Sequence, residues 1–369
     1  MMMKGLILLC FVSIFVQCCG GNKVEEEKIS PNWKITPDVL SFPDKEGTRE
    51  ISITSSADWA VRSDRPWCTV DPGYARKGEA KISVSVSQNL AETSRKAFLS
   101  LVSGKYSATV EVQQEGTVIP NYVPEGYRQV FADEFNGSLL PGGKTPLPDA
   151  TRWSYETGSS GWGNHELQNY VPGFRGTDTC AVISDGTLKI RALPAGREVL
   201  SIRMNSKESW QYGYFEARLR MPSGRGTWPA FWMLPKDFKS WPLDGEIDIM
   251  EYVGYDPNMV HCTIHTDAYN HSIGTQKGTS IRIERAEQEF HIYAVEWTAE
   301  TIRGFVDGRE YFRFVNDGKG DKRTWPFDVP FYLKLNLAWG GNWGGQQGTD
   351  TSQLPATYEI DYVRVYRKE

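Results

Sequence analysis

Apolar and polar side chains alternate along most of this chain. Between Ile29 and Gly116 the alternation runs through Arg49-Glu-Ile-Ser-Ile-Thr54, Lys81-Ile-Ser-Val-Ser-Val86, Ala97-Phe-Leu-Ser-Leu-Val102 and Ala108-Thr-Val-Glu-Val112. A period of two marks strands with one buried and one wet face, and Asp/Gly/Ser/Pro clusters supply the turns between them. The same period returns after residue 125, in Tyr214-Phe-Glu-Ala-Arg-Leu-Arg-Met221, Phe290-His-Ile-Tyr-Ala-Val-Glu-Trp297 and Phe331-Tyr-Leu-Lys-Leu-Asn-Leu337. Asp307-Gly308, between two such runs, is a hairpin turn. No long amphipathic helix interrupts the pattern, so an all-β fold is predicted.

Two domains follow from the spacing. About seven short strands over residues 29–116 predict a small immunoglobulin-like β-sandwich. Thr117 to Pro124 has no period and carries Pro120 and Pro124, a short stiff linker. Residues 125–369 are predicted as one large antiparallel sandwich or β-jelly roll with an open cleft.

The first residues follow another pattern. Lys4 precedes the apolar run Gly5 to Val16, too short to span a membrane and suited to a signal sequence. It ends at Val16-Gln17-Cys18-Cys19, which resembles a bacterial lipobox. The expectation is a lipoprotein signal over residues 1–18, lipidation at Cys19 (Cys18 or a plain secretory signal being the alternatives), and a tether over 19–28 containing Glu25-Glu26-Glu27. That implies an outer-membrane lipoprotein displayed at the cell surface, with the periplasmic face or secretion as alternatives and the lipid as the sole membrane contact. Three of the six cysteines lie in this leader, and Cys68, Cys180 and Cys262 form neither a disulfide framework nor a zinc pattern, though one bridge is possible. With net charge −5 and no basic block, a nucleic-acid partner is not expected. The 13 Trp and 17 Tyr suit sugar stacking or β cores equally.

Candidate chemistry concentrates in Gly245-Glu-Ile-Asp-Ile-Met-Glu251. Glu246 and Asp248 share one strand face, and Ile247 and Ile249 the other. Strict alternation would drive Glu251 into the core, where an unpaired charge is costly. A β-bulge adding one residue returns it to the acidic face. Regular strand would separate the outer Cα atoms by ~13 Å, and the bulge shortens this. Two inward-leaning Glu carboxyls could then approach the ~5–5.5 Å of a retaining glycosidase. Asp248 between them would help hold one acid protonated. A solvated acidic face and a calcium site are the competing readings of the spacing alone.

Glu246-Ile-Asp-Ile-Met-Glu251 resembles the bulged, laminarinase-like signature of glycoside hydrolase family sixteen. Flanking matches are Gly226-Thr-Trp-Pro-Ala-Phe-Trp-Met-Leu234, Trp241-Pro-Leu-Asp-Gly245, Phe131-Ala-Asp-Glu-Phe-Asn-Gly137, Gly161-Trp-Gly-Asn-His-Glu-Leu-Gln168, Tyr212-Gly-Tyr-Phe-Glu-Ala-Arg218 and Ile360-Asp-Tyr-Val-Arg-Val-Tyr366. Residues 29–116 resemble a BACON-type domain through Ala57-Asp-Trp59, Pro66-Trp-Cys-Thr-Val70, Asn89, Arg95 and Val112-Gln-Gln-Glu-Gly116. There Trp59 and Trp67 are expected in the core, and the domain is read as a spacer, with carbohydrate binding as the alternative.

The resemblance implies an endo-acting, retaining hydrolase of β-1,3- or mixed-linkage β-1,3-1,4-glucan. Glu246 would be the nucleophile, Glu251 the acid/base, Asp248 their tuner, and His265 a contact to Asp248 or the leaving-side sugar, unless it is a polar rim residue. Trp228, Trp232 and Trp241 would line the donor side, with Asn164 and Arg203 bonding sugar hydroxyls. Asn336 and Trp343 would border the acceptor side. Core packing is the alternative for Trp232 and Trp339. No catalytic cofactor is implied, but a structural Ca²⁺ is, through Glu134, the Gly186 carbonyl and Asp361, with no metal as the alternative. A monomer is expected. The rival functions are a non-catalytic surface β-glucan-binding protein and the same mechanism applied to agar-type galactan.

Overall fold

The computed structural model describes residues 31–137 and 146–369. The leader, Cys19 and the whole tether lie outside them. Nearly all regular structure is β, with two single-turn 3₁₀ segments among the described residues. The chain divides into two compact units, one drawn from residues 1–42, 46–87 and 96–113, the other from the remainder.

The first unit is a sandwich of a four-stranded and a five-stranded sheet. Gly47–Ser55 and Gly78–Val86 pair through nine residues. Inward positions on these and facing strands (Ile51, Ile53, Ile82, Val84, Leu99, Leu101, Val110, Val112) are buried. Trp59 is fully buried, and Trp67 packs partly buried against the same core. The alternation read in the sequence is the alternation between this core and solvent.

The second unit stacks a ten-stranded on a seven-stranded sheet. The seven-stranded sheet carries the site, and its strands in chain order are β1 (Trp153–Glu156), β2 (Arg203–Ser206), β3 (Thr227–Pro235), β4 (Glu246–Tyr252), β5 (Met259–His265), β6 (Lys277–Arg282) and β7 (Phe331–Trp339). In space they run β1-β2-β7-β3-β4-β5-β6. One face supplies Phe231, Met233, Ile247, Ile249, Met250, Leu333, Leu335 and Leu337 to the core. The opposing sheet, centred on Ala356–Lys368 and Gly213–Arg220, supplies Phe215, Ala217, Leu219, Ile360, Val363 and Val365. The other face of the seven-stranded sheet forms the cleft. Cys68, Cys180 and Cys262 are buried, and no disulfide joins any two of them.

Candidate active site

Gly245 sets the entry to β4. Its φ of 89° disfavours side chains, and an added Cβ would stand 2.7 Å from Cγ of Pro326. Beyond it, Glu246 lies opposite His265 on β5, Asp248 opposite Thr263, and Glu251 opposite His261. Three steps on β4 are matched by two on β5. On the other side Phe231 pairs with Met250 and Trp232 with Asp248, again skipping one residue. The extra residue sends Ile249 and Met250 together into the core and leaves Glu251 partly exposed. The predicted bulge is present, and all three acids line the cleft.

Each outer carboxylate has an indole. Trp228 Nε1 donates to Glu251 Oε1 at 3.1 Å, and Trp241 hydrogen-bonds Glu246. Asp248, 2% exposed, donates to Glu246. Burial and the charges of Glu246 and Glu251 push Asp248 well above the usual carboxylate range, so it holds its proton. Burial also raises Glu246, to about 7, against the pull of Arg203, Asp248, Lys334 and Trp241. Glu251 rises further, to about 8, through burial and the Glu246 charge. Glu246 therefore ionises first while Glu251 keeps its proton, the division of labour that a nucleophile and an acid need.

His265 Nε2 stands 3.4 Å from Asp248 Oδ2 and 4.0 Å from Glu246 Oε1. Burial and His271 depress His265 to about 4, so it is neutral near pH 7. Its ring packs against Trp241 and His271. Glu246, Asp248 and His265 offer ligand atoms within 4.8 Å of one another, a geometry a divalent cation could also use.

Beside the acids, the cleft of about 330 Å³ is floored by aromatic and charged groups. The Arg203 guanidinium lies between the rings of Trp162 (4.7 Å) and Trp232 (4.9 Å) and pairs with Glu156. Trp232 Nε1 donates to Asn336 Oδ1 at 2.7 Å, and Asn336 donates to the Tyr170 hydroxyl. Tyr170 and Gln168 both donate to Glu166. Asn164 lines the cleft and also bonds Glu166.

Trp228, Trp232 and Trp241 all line the cleft; Trp228 also touches Glu251 and packs on Trp343 at 5.5 Å. Four residue steps, ~13 Å along β3, take the strand from Trp228 to Trp232. Asn336 does not stand with Trp343, because its amide is committed to Trp232 and Tyr170. Trp232 forms cleft floor, whereas Trp339 is core. Sequence reasoning missed Trp162, Glu156, Lys334 and His271. Lys334 was within reach, since it sits two residues before Asn336 on β7 and so shares its face.

Residues 175–364 match the family model "Glycosyl hydrolases family 16". The chain belongs to glycosyl hydrolase family 16. Residues 32–117 match a viral BACON domain. A β-glucanase of Rhodothermus marinus is 51% identical over 251 residues, spanning 64% of this chain and 84% of that protein. The solved laminarinase of R. marinus matches with 49% identity and a TM-score of 0.60, covering 65% of this chain and 97% of its own. SCLam, described as a non-specific endo-β-1,3(4)-glucanase of the same family, matches with 44% identity and a TM-score of 0.62 over 68% of this chain and 95% of its own. The matched stretch contains the bulged β4 and its three cleft-lining acids.

Activity should rise with pH as Glu246 ionises, near about 7, and fall as Glu251 loses its proton, near about 8. The Trp228 hydrogen bond lowers Glu251. Trp228→Phe should therefore move the falling limb of kcat/KM to higher pH and leave the rising limb in place. An unmoved falling limb would show that the working enzyme does not use this bond.

Proposed function

We propose that the chain cleaves β-1,3- and mixed-linkage β-1,3-1,4-glucans internally, with retention of anomeric configuration, and acts as a monomer. The observation that carries this reading is the single bulged strand bearing Glu246, Asp248 and Glu251, with a separate indole on each outer carboxylate. Glu246 attacks the anomeric carbon while Glu251 protonates the departing glycosidic oxygen, leaving a glycosyl-enzyme ester. Glu251, now a carboxylate, takes a proton from water, which attacks the same carbon and releases Glu246. Asp248 donates a hydrogen bond to Glu246 through the cycle. These steps need proton transfer and one carboxylate nucleophile, all supplied by the chain.

The sheet face beside the acids suits a neutral polysaccharide: indoles for sugar faces, and Asn164 and Arg203 near the floor for hydroxyls. The test is hydrolysis of laminarin, lichenan, barley mixed-linkage glucan and agarose in parallel, with early products resolved by size and by NMR anomer. Rapid β-anomer oligosaccharides from the glucans, with none from Glu246→Gln, are expected. Glu251→Gln should lose about 10²–10⁴-fold on unactivated substrate. Cleavage of agarose alone would replace the substrate, and binding without cleavage would favour a glucan-binding protein.

A structural Ca²⁺ belongs to the same reading. An added Cβ on Gly186 would stand 3.5 Å from Asn136 Oδ1, so the turn at Gly186 meets the segment beginning at Glu134. Asp361 is raised to about 6 by burial and by Glu134, against Arg218. The nearness of the Gly186 turn to the Glu134 segment supports this reading, and the ion would share its carboxylates with Arg364, which holds both oxygens of Glu134, and with Arg218, which holds Oδ2 of Asp361. The ion would tie both ends of the domain together. Chelation should then lower Tm by about 5–10 °C, restored by Ca²⁺. An unchanged Tm would leave the arginine pairs as the tie.

We also infer lipidation at Cys19 and display at the outer surface, resting on Val16-Gln17-Cys18-Cys19. Cys19→Ser should release the protein from the membrane fraction. Retention would point to Cys18, and release of the unsubstituted protein to a secretory signal.

A further inference from the structure

Lys334 is the one fully buried lysine among the described residues, and the reaction as written gives it no task. It projects from β7 toward the cleft side, beneath the floor. Its Nζ donates to Glu156 Oε2 at 2.9 Å and to Asn205 Oδ1 at 2.6 Å. It also lies 5.0 Å from the centre of the Trp232 ring and 5.1 Å from that of Tyr332. Burying an ammonium is costly, and one anion shared between two cations does not neutralise both. Glu156 pairs with both Arg203 and Lys334, and Glu166 also faces Arg203. When Lys334 is protonated, its charge lies in a water-poor layer, where its field is weakly screened. Trp232, which pairs with Lys334 on one side, pairs with Asp248 of the acidic strand on the other.

We propose that Lys334 is a positioning residue for the nucleophile: lodged under Trp232 and shared with Glu156, its ammonium supplies floor charge that keeps Glu246 an anion poised for attack. The proposal rests on the glycosidase reading of Glu246. It makes the floor an electrostatic element as well as a sugar platform, because the same Trp232 ring lies between the cation and the cleft. Groups facing Glu246 are Asp248 and Glu251 on its own strand, His265 on β5, Arg203 on β2 and Lys334 on β7. Those facing Lys334 are Glu156 on β1, Arg203 and Asn205 on β2, and Tyr332 on β7. Of the two cations, Arg203 also stacks on Trp162 at the cleft surface, whereas Lys334 touches no part of the open cleft, so its contribution is a field and a support. One reciprocal interaction agrees with this: the Lys334 charge lowers Glu246, and Glu246 with Glu156 raises Lys334, which burial and Arg203 pull down, leaving it at about 7.

The test is the pH profile of kcat/KM on laminarin for the unsubstituted protein, Lys334→Met and Asn205→Asp. Lys334→Met removes the ammonium and keeps the apolar stem. Asn205→Asp leaves the lysine but neutralises it with an anion of the same shape, which guards against a folding failure of the first variant. Both should move the acidic limb upward by about one pH unit, leave the alkaline limb of Glu251 in place, and cut kcat about tenfold below that limb with KM changed less than threefold. Folding is checked by Tm. A folded variant that loses activity evenly at all pH values, with both limbs unmoved, would reduce Lys334 to a packing role and overturn the proposal. Absence of glucan hydrolysis by the unsubstituted protein would instead overturn the glycosidase reading.

Discussion

Three carboxyl groups on one seven-residue strand, backed by a packed apolar core, cannot all be ionised together. Each added charge raises the cost of the next, and burial removes the water that would have screened them. That competition organises the site. Asp248, the deepest, gives up ionisation and becomes a donor. Glu246, nearest the cationic floor and the Trp241 indole, takes the negative charge. Glu251, with one indole and no cation at hand, keeps its proton longest. Distinct chemical roles thus arise from three similar side chains through their surroundings alone.

The bulge is what makes this arrangement compatible with a core. Without the extra residue, Glu251 or Met250 would sit on the wrong face, and either a charge would enter the apolar layer or a large apolar side chain would enter the cleft. With it, Ile249 and Met250 fill adjacent core positions, and the acidic row stays continuous. The surrounding strands are regular, so the irregularity is local and its position fixes which side chains face the substrate.

How far the sequence could be read depended on whether a feature was local. The bulge, the acidic row and the strand alternation were legible because each is written in a few consecutive residues. The hydrogen-bond partner of each acid is not written in any such local pattern. Trp228 and Trp232 belong to the same strand face, yet one serves Glu251 and the other Asn336. Glu156, Arg203 and Lys334 meet across three strands that lie far apart in the chain, and no local pattern joins them. Lys334 is the exception, since alternation from Asn336 already placed it on the cleft side. What hid it was the ordinary expectation that lysine seeks water.

The three buried thiols have a practical consequence. Cys68, Cys180 and Cys262 are enclosed and joined to one another by no disulfide, and burial lifts the thiols of Cys180 and Cys262 well above the range in which thiolate forms. The described fold therefore owes nothing to an oxidant and loses nothing to a reductant. It also leaves its outer surface without a competing nucleophilic sulfur, so a single cysteine placed at the rim of the cleft would take a dye or spin label cleanly, and sugar binding could be followed from the edge of the site.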